Sequence, residues 1–299
     1  MTSPRIMTMF PGQGSQRPGM ASWVRNYRIA MDLFERAESI LGMPLLKLCT
    51  EGTVSELRST DVAQPAIVTT SLALAAVRRA RGIRIDAVAG HSLGEFTALA
   101  VSGVLDEEST LNLVRTRGEL MAGASQRSDG AMSAIIGLTS DRVDALCACV
   151  VSGNVSVANY NQPTQTVVSG DVKAVAKCED LAYAAGATKV VRLKVSGAFH
   201  SVLMADISEE LAVAIAKCDM KAPEIPLLSA VTADYASDPA RIRSLACEQL
   251  MAPVRWVETI NRAVADGYSE MLELGPGNVL TGFARRIAPQ VTSTSVAVL

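Results

Sequence analysis

The chain has 299 residues, 49% hydrophobic and 19% charged, so it can bury a sizeable core and wholesale disorder is excluded. A formal charge of −2, with no basic patch and no charge run, leaves no footprint for nucleic acid. Six cysteines stand without a CxxC pair, and the two histidines, His91 and His200, add no familiar zinc spacing; small buried thiols in a reducing compartment are the expectation.

At the N-terminus, "MTSPRIMTMFPGQG" carries one arginine and a short apolar stretch cut by Pro-Gly, too short for a signal peptide. "RIMTMF" (5–10) predicts a strand that stops at the turn-rich "PGQGSQRPG", and a helical pattern follows to about residue 40. A second helical pattern runs from Gln64 to Arg81. Its core, "AIVTTSLALAAVRRAR", is the longest apolar tract, but Thr and Ser interrupt it and arginines end it, which suits a soluble helix. A cytoplasmic protein without a membrane partner is expected. "IDAVAG" (85–90) has the length of a buried parallel strand, and "LGEFTALAVSG" has helical spacing with a Gly stop. Strand, loop, helix, strand, helix is the pattern of an α/β layered domain.

Residues 131–195 follow a different rhythm. "AMSAIIG" predicts a strand, and "SDRVDALCACVV" a helix with Ser140 as N-cap. "NVSVANY" and "QTVVSG" predict two strands joined by "NQPT", "DVKAVAKCEDLAYAAGA" a helix opened by Asp171, and "TKVVRLKV" a closing strand. The order βαββαβ is that of a ferredoxin-like module, read here as a small subdomain (130–195) inserted into a large one (1–129 and 196–299). "IPLLSAV" and "YSEMLELGPG" return to the parent sheet.

Between the second predicted strand and its helix lies Gly90-His91-Ser92-Leu93-Gly94, a G-x-S-x-G pattern. In a nucleophile elbow the glycines let strand and helix approach while the serine occupies a strained turn with Oγ exposed; the fold expected is therefore α/β-hydrolase-like with a parallel sheet. A serine needs a base within hydrogen-bond reach. His91 adjoins the serine on a sharp turn, where neighbouring side chains diverge, which leaves His200 in "VSGAFHSVLM". No acidic residue announces itself as the orienter of that imidazole; a backbone carbonyl could do so instead.

"FPGQGSQ" (10–16), "QPA" (64–66), "GHSLGE" (90–95), "LVRTRGELM" (113–121), "GAFHS" (197–201) and "ELGPGNVLTG" (273–282) together resemble the malonyl-CoA:acyl carrier protein transacylases, in order and over essentially the whole chain. That family includes the fatty-acid synthesis enzyme and the discrete acyltransferases that serve polyketide synthases. The resemblance implies a Ser–His dyad at Ser92 and His200, with the imidazole oriented by a main-chain carbonyl at Gln249 in "EQLMAPVRW". It implies an oxyanion hole from the backbone N–H groups of Gln13 and Leu93, donors of the kind that contribute a few kcal/mol each.

Arg115 and Arg117 lie about 200° apart round a helix, so at most one faces the site. The resemblance assigns Arg117 to the free malonyl carboxylate, which a bidentate guanidinium suits and an acetyl group leaves unmatched. Ala198 and Phe199 precede the base; "AFH" resembles malonyl-type enzymes, in which a bulky ring beside the α-carbon excludes a branch methyl, a discrimination of about 1–3 kcal/mol. The motif opens with Gly197 rather than the His common in modular synthases, which suits a free-standing enzyme. "LGPGNVL" reads as a structural turn into a helix, and Asn161 and Gln64 as cleft residues without assigned roles.

The implied activity is ping-pong transfer of malonyl from malonyl-CoA to the phosphopantetheine thiol of an acyl carrier protein or a polyketide synthase carrier domain, with no metal or redox cofactor. Arg285 and Arg286 are candidate contacts for an acidic carrier. Two rivals are a serine hydrolase or editing thioesterase on the same scaffold, which would pass the acyl group to water, and a non-catalytic docking subunit, which would need a broken dyad.

Overall fold

In the computed structural model of the chain, residues 4–127, 130–195 and 197–297 are described. The N-terminal half runs β1 (Ile6–Phe10), α1 (Arg28–Leu41), α2 (Leu45–Glu51), α3 (Thr60–Ala80), β2 (Ala87–Gly90), α4 (Gly94–Val101) and α5 (Glu107–Arg127). The middle is β3 (Gly130–Ile136), α6 (Ser140–Ala148), β4 (Val155–Gln162), β5 (Gln165–Asp171), α7 (Val172–Ala184) and β6 (Lys189–Arg192). The chain closes with α8 (Ala205–Ala216), β7 (Leu227–Ser229), β8 (Asp234–Tyr235), α9 (Pro239–Glu248), α10 (Trp256–Ala265), β9 (Glu270–Leu274), α11 (Val279–Ile287) and β10 (Thr292–Val296).

Two sheets result. The larger has the order β10-β9-β1-β2-β7-β8 and is parallel except for β8, which pairs antiparallel with β7. Its inner strands β1, β2 and β7 are buried on both faces because helices cover both. Met7 and Met9 of β1, with Ala87 and Ala89 of β2, pack toward Trp256 and Ile260 of α10 and Leu280 of α11. Phe10 and Val88 point the other way, into the core shared with α1, α3, α4 and α5. The period-two alternation thus feeds two cores from one sheet.

The smaller sheet, β4-β5-β3-β6, is antiparallel throughout and is the ferredoxin-like order expected from the sequence. Ala131 and Ile135 of β3 face Val143 and Cys147 of α6 and Val175 and Cys178 of α7. Met132 and Ala134 face the large body instead. The edge strand β4 reaches that body directly: Asn159 forms a parallel bridge with Val254, and the main chain of Val254 bonds that of Ala158 and Tyr160. The subdomain boundaries drawn at 129 and 196 fall on residues outside the described ones.

Several local expectations shift. Ser140 is the first helical residue of α6, and its N-cap is Thr139, without a side-chain cap bond. Asp171 does precede α7, but its carboxylate accepts from the Asn154 N–H at 2.6 Å rather than from the helix. The β4–β5 turn is confined to Pro163 and Thr164, because Asn161 and Gln162 belong to the strand. Helix α3 begins four residues earlier than its periodicity suggested and carries Pro65 inside it. By length and composition alone α3 could cross a membrane, yet 78% of its most apolar window is buried inside the fold.

The turn from β9 to α11 holds a fully buried carboxylate. Glu273 accepts from the N–H groups of Leu280 at 3.2 Å and Thr281 at 2.8 Å, which are orphan donors of the first turn of α11. "LGPGNVL" is therefore a structural turn. Glu273→Ala should cost about 1–3 kcal/mol, as two buried donors lose their acceptor. Denaturant unfolding measures the loss, and an unchanged midpoint would show that the turn satisfies α11 without this side chain.

Candidate active site

The site lies beyond the carboxyl ends of β1 and β2, adjacent central strands of the parallel sheet, where open α/β sheets place their ligands. Ser92 lies two residues after the end of β2, and α4 starts two residues later. Its φ of 51° lies in the left-handed region that non-glycine residues rarely enter. The two glycines are steric requirements. A Cβ at Gly90 would sit 2.1 Å from the Glu95 nitrogen, and one at Gly94 would sit 2.0 Å from the Phe10 carbonyl oxygen. The elbow is pressed against the end of β1, and the His91 N–H donates to that same Phe10 oxygen at 3.0 Å.

His200 meets the serine from the loop after β6. Ser92 Oγ and His200 Nε2 are 2.8 Å apart. His200 also has a left-handed backbone, φ 59°. Ser201 clamps its loop: the hydroxyl donates to the Ala198 carbonyl at 2.6 Å and accepts from the Leu203 N–H, capping a 3₁₀ turn. His200 Nδ1 lies 3.0 Å from the Gln249 carbonyl oxygen and 2.9 Å from that of Ala252. Carbonyl oxygens only accept, so Nδ1 carries the proton and Nε2 offers its lone pair to the serine. Burial, and then the positive charge of Arg117, push the imidazole down to about 4. At neutral pH it is an uncharged acceptor.

Arg117 projects from α5 and is 1% exposed. Its Nη1 donates to Gln64 Oε1 at 2.8 Å; its Nη2 donates to Ser92 Oγ at 3.2 Å and to Gln249 Oε1 at 3.3 Å. The guanidinium carbon stands 5.7 Å from the centre of the Phe96 ring. Burial lowers its pKa to about 10, which leaves it a cation at neutral pH. Among the described ion pairs none involves Arg117, so its charge faces the serine without a carboxylate in contact. Gly118 helps α5 lie close to the start of α3: a Cβ there would sit 3.1 Å from the Asp61 Cα and 3.2 Å from the Thr60 carbonyl oxygen. Arg115 points elsewhere, to the Ile40 carbonyl and Asn112.

These groups open into a cavity of about 530 Å³ lined by Gln13, His91, Ser92, Arg117, Phe199 and His200, with an apolar wall of Met121, Met132, Leu193 and Val195. The loop after β1 runs along the elbow: a Cβ at Gly12 would lie 2.6 Å from the His91 oxygen and 3.7 Å from the Leu93 nitrogen. Gln13 follows next in that loop, lines the cavity, and donates from its own side chain to Thr60 Oγ1. His91 turns away from the nucleophile to Asn161 Oδ1 at 2.8 Å and lies edge-on to Trp256. Gln64 and Asn161 stand one layer behind the wall, and Asn159 is the asparagine that lines it. Arg285 bonds the Ser293 carbonyl, and neither it nor Arg286 lines the cavity.

Sequence reasoning missed Ala252, Glu95 and Ser229. Ala252 carries no side-chain signal for its carbonyl. Glu95 was visible in "GHSLGE", but an acid in the first turn of a helix is ordinarily a solvated dipole partner. Here it is buried, accepting from Ser229 Oγ at 2.7 Å and Gln249 Nε2 at 2.8 Å.

A serine on a tight strand-to-helix elbow, a neutral imidazole on its hydroxyl and a buried cation beside both have the chemistry that acyl transfer on an α/β scaffold requires. Residues 8–299 match the family model of the acyl transferase domain, and the chain belongs to that family. It is 39% identical over 296 residues to the malonyl CoA-acyl carrier protein transacylase of Bacillus subtilis, covering 98% of this chain and 93% of that one. It is 40% identical over 291 residues to the polyketide biosynthesis protein ThaF of Burkholderia thailandensis, 97% of this chain but 25% of that longer one. An acyl carrier protein S-malonyltransferase of Vibrio cholerae superposes with a TM-score of 0.96 at 36% identity, over 99% of this chain and 97% of the other. A malonyl-transacylase solved with a type II polyketide acyl-carrier protein superposes at 0.95 and 35% identity, over 99% and 96% of the two chains.

Gly94→Ala tests the elbow. The new methyl meets main chain, which cannot rotate aside, so the protein should lose several kcal/mol of stability, or about 100-fold or more in serine acylation if it refolds around the strain. Thermal unfolding and intact-mass acylation report the two outcomes; wild-type behaviour in both would show that the close approach is not needed.

Proposed function

We propose that the chain transfers a malonyl group from malonyl-CoA to the phosphopantetheine thiol of an acyl carrier protein, through a malonyl ester on Ser92. The observation that carries this reading is the buried Arg117 guanidinium, 3.2 Å from the nucleophile and without a carboxylate in contact. A malonyl carboxylate fits that vacant charge; an acetyl group leaves it unmatched.

In the first half-reaction His200 Nε2 takes the Ser92 proton as Oγ attacks the thioester carbonyl. The N–H groups of Gln13 and Leu93 receive the oxyanion, the C–S bond breaks, and the imidazolium returns its proton to the departing thiolate. In the second half the carrier thiol gives its proton to His200 and attacks the ester carbonyl. The ester C–O bond breaks and Ser92 recovers the proton. Arg117 holds the malonyl carboxylate throughout, while the carbonyls of Gln249 and Ala252 keep the Nδ1–H tautomer. Phe199, on the cavity wall, restricts the α-carbon.

Proton transfers and one acyl exchange require no metal or redox cofactor. We place the enzyme in the cytoplasm and take residues 130–195 as its small subdomain. The carrier belongs to fatty-acid or polyketide synthesis; a malonyl-transacylase solved with a type II polyketide acyl-carrier protein is among the structures similar to this chain.

Intact-mass measurement tests the reading. Wild type mixed with malonyl-CoA should gain one malonyl group and lose it to holo-carrier, whereas Ser92→Ala should gain none. Free malonate as the main product with carrier present would favour a hydrolase. Arg117→Ala should lower malonyl transfer about 100-fold, as a charge-assisted contact is lost, and acetyl transfer far less. Equal losses would make the arginine a scaffold residue only.

A further inference from the structure

Glu95 is a buried carboxylate that the steps above leave unused. It lies in the first turn of α4, three residues after the nucleophile, and is 5% exposed. Its two oxygens have separate partners: Ser229 Oγ at the end of β7, at 2.7 Å, and Gln249 Nε2, at 2.8 Å. Gln249 is fully engaged in turn. Its Nε2 also donates to the Ser92 carbonyl at 2.9 Å, its Oε1 accepts from Arg117 Nη2 at 3.3 Å, and its main-chain oxygen accepts from His200 Nδ1 at 3.0 Å. One glutamine therefore touches nucleophile, cation and base.

An amide has two ends of nearly equal shape and opposite hydrogen-bonding sense. Arg117 has only donors to give, so Gln249 must present its oxygen there. With the amide reversed, two donors would face each other at Arg117 and two acceptors at Glu95, all of them buried. Burial raises the Glu95 pKa, while Ser229, Gln249 and the Arg117 charge pull it back. A proton on Oε1, facing Ser229, would leave Oε2 an acceptor all the same.

We propose that Glu95 is a positioning residue for acyl selectivity: by fixing which end of the Gln249 amide faces Arg117, it holds the guanidinium where a carboxylate-bearing acyl group needs it. The inference rests on the acyl-transfer reading above. Its effect belongs to the charged end of the acyl group, because the imidazole hangs on main-chain oxygens that Glu95 does not touch.

The test compares malonyl-CoA with acetyl-CoA as acyl donors, followed as intact-mass time courses on the full chain. Glu95→Ala should slow malonylation about tenfold or more, with acetylation within about threefold of wild type. Glu95→Gln retains an acceptor oxygen and should return malonylation to within about threefold. Gln249→Met removes the amide and keeps the main-chain carbonyl; it should reproduce the malonyl-selective loss, and it decides the matter if Glu95→Ala does not fold. Equal losses for both donors, or no recovery in Glu95→Gln, would overturn the inference. Absence of any malonyl adduct on wild type would overturn the acyl-transfer reading and this inference with it, whereas an adduct without the split overturns this inference alone.

Discussion

The geometry of the site depends on one hydrogen-bonded imidazole. His200 is buried, and Arg117 brings a positive charge close by; both disfavour the imidazolium. Two carbonyl oxygens accept from Nδ1, so the neutral ring has its proton on the far side and its lone pair toward Ser92. A carboxylate in their place would stabilise the charged ring more strongly, and next to a buried guanidinium it would compete for the cation. Main-chain carbonyls orient the ring without placing a second anion beside the Arg117 charge, which in the proposed reaction stays available to the acyl group.

That arrangement needs three distant segments brought to one point. The parallel pairing of β1 with β2 brings the loop after β1 alongside the serine turn. The crossing of α5 over the start of α3 at Gly118 brings the arginine in from the side. The segment from Gln249 to Val254 presents the carbonyls, and it is held at one end by α9 and at the other by the bridge from Val254 to the edge of the small sheet. The small sheet thus adjoins the segment whose carbonyls hold the His200 ring, and its Met132 and Asn159 line the cavity. Left-handed backbone at both Ser92 and His200 is local strain that the surrounding contacts hold in place.

Much of this was legible in the sequence because it rests on local chemistry. A serine between two glycines at a strand-to-helix junction has few other uses, and the βαββαβ order follows from periodicity and turn residues. The two-residue strand β8 and the polar edge strand β10 gave no such pattern; the latter is half-exposed Thr and Ser, with pairing supplied by β9. Ser140 looked like a cap because its residue type favours one, yet it is already the first helical residue, and the N-cap position falls one residue earlier, on the extended Thr139. Glu95, Ser229 and Ala252 were illegible for a different reason. Burial of an acid and the direction of a carbonyl are tertiary facts, and neither leaves a trace in residue type or spacing.

The neutral, carbonyl-held imidazole can be measured directly, since the chain has only two histidines. Nitrogen-15 NMR of the labelled protein, with His91→Gln to assign the signals, follows the His200 ring through a pH titration. The Nδ1–H tautomer at neutral pH and a midpoint depressed to about 4 are expected. A midpoint at the ordinary value of 6.5, or a proton resident on Nε2 at neutral pH, would contradict this.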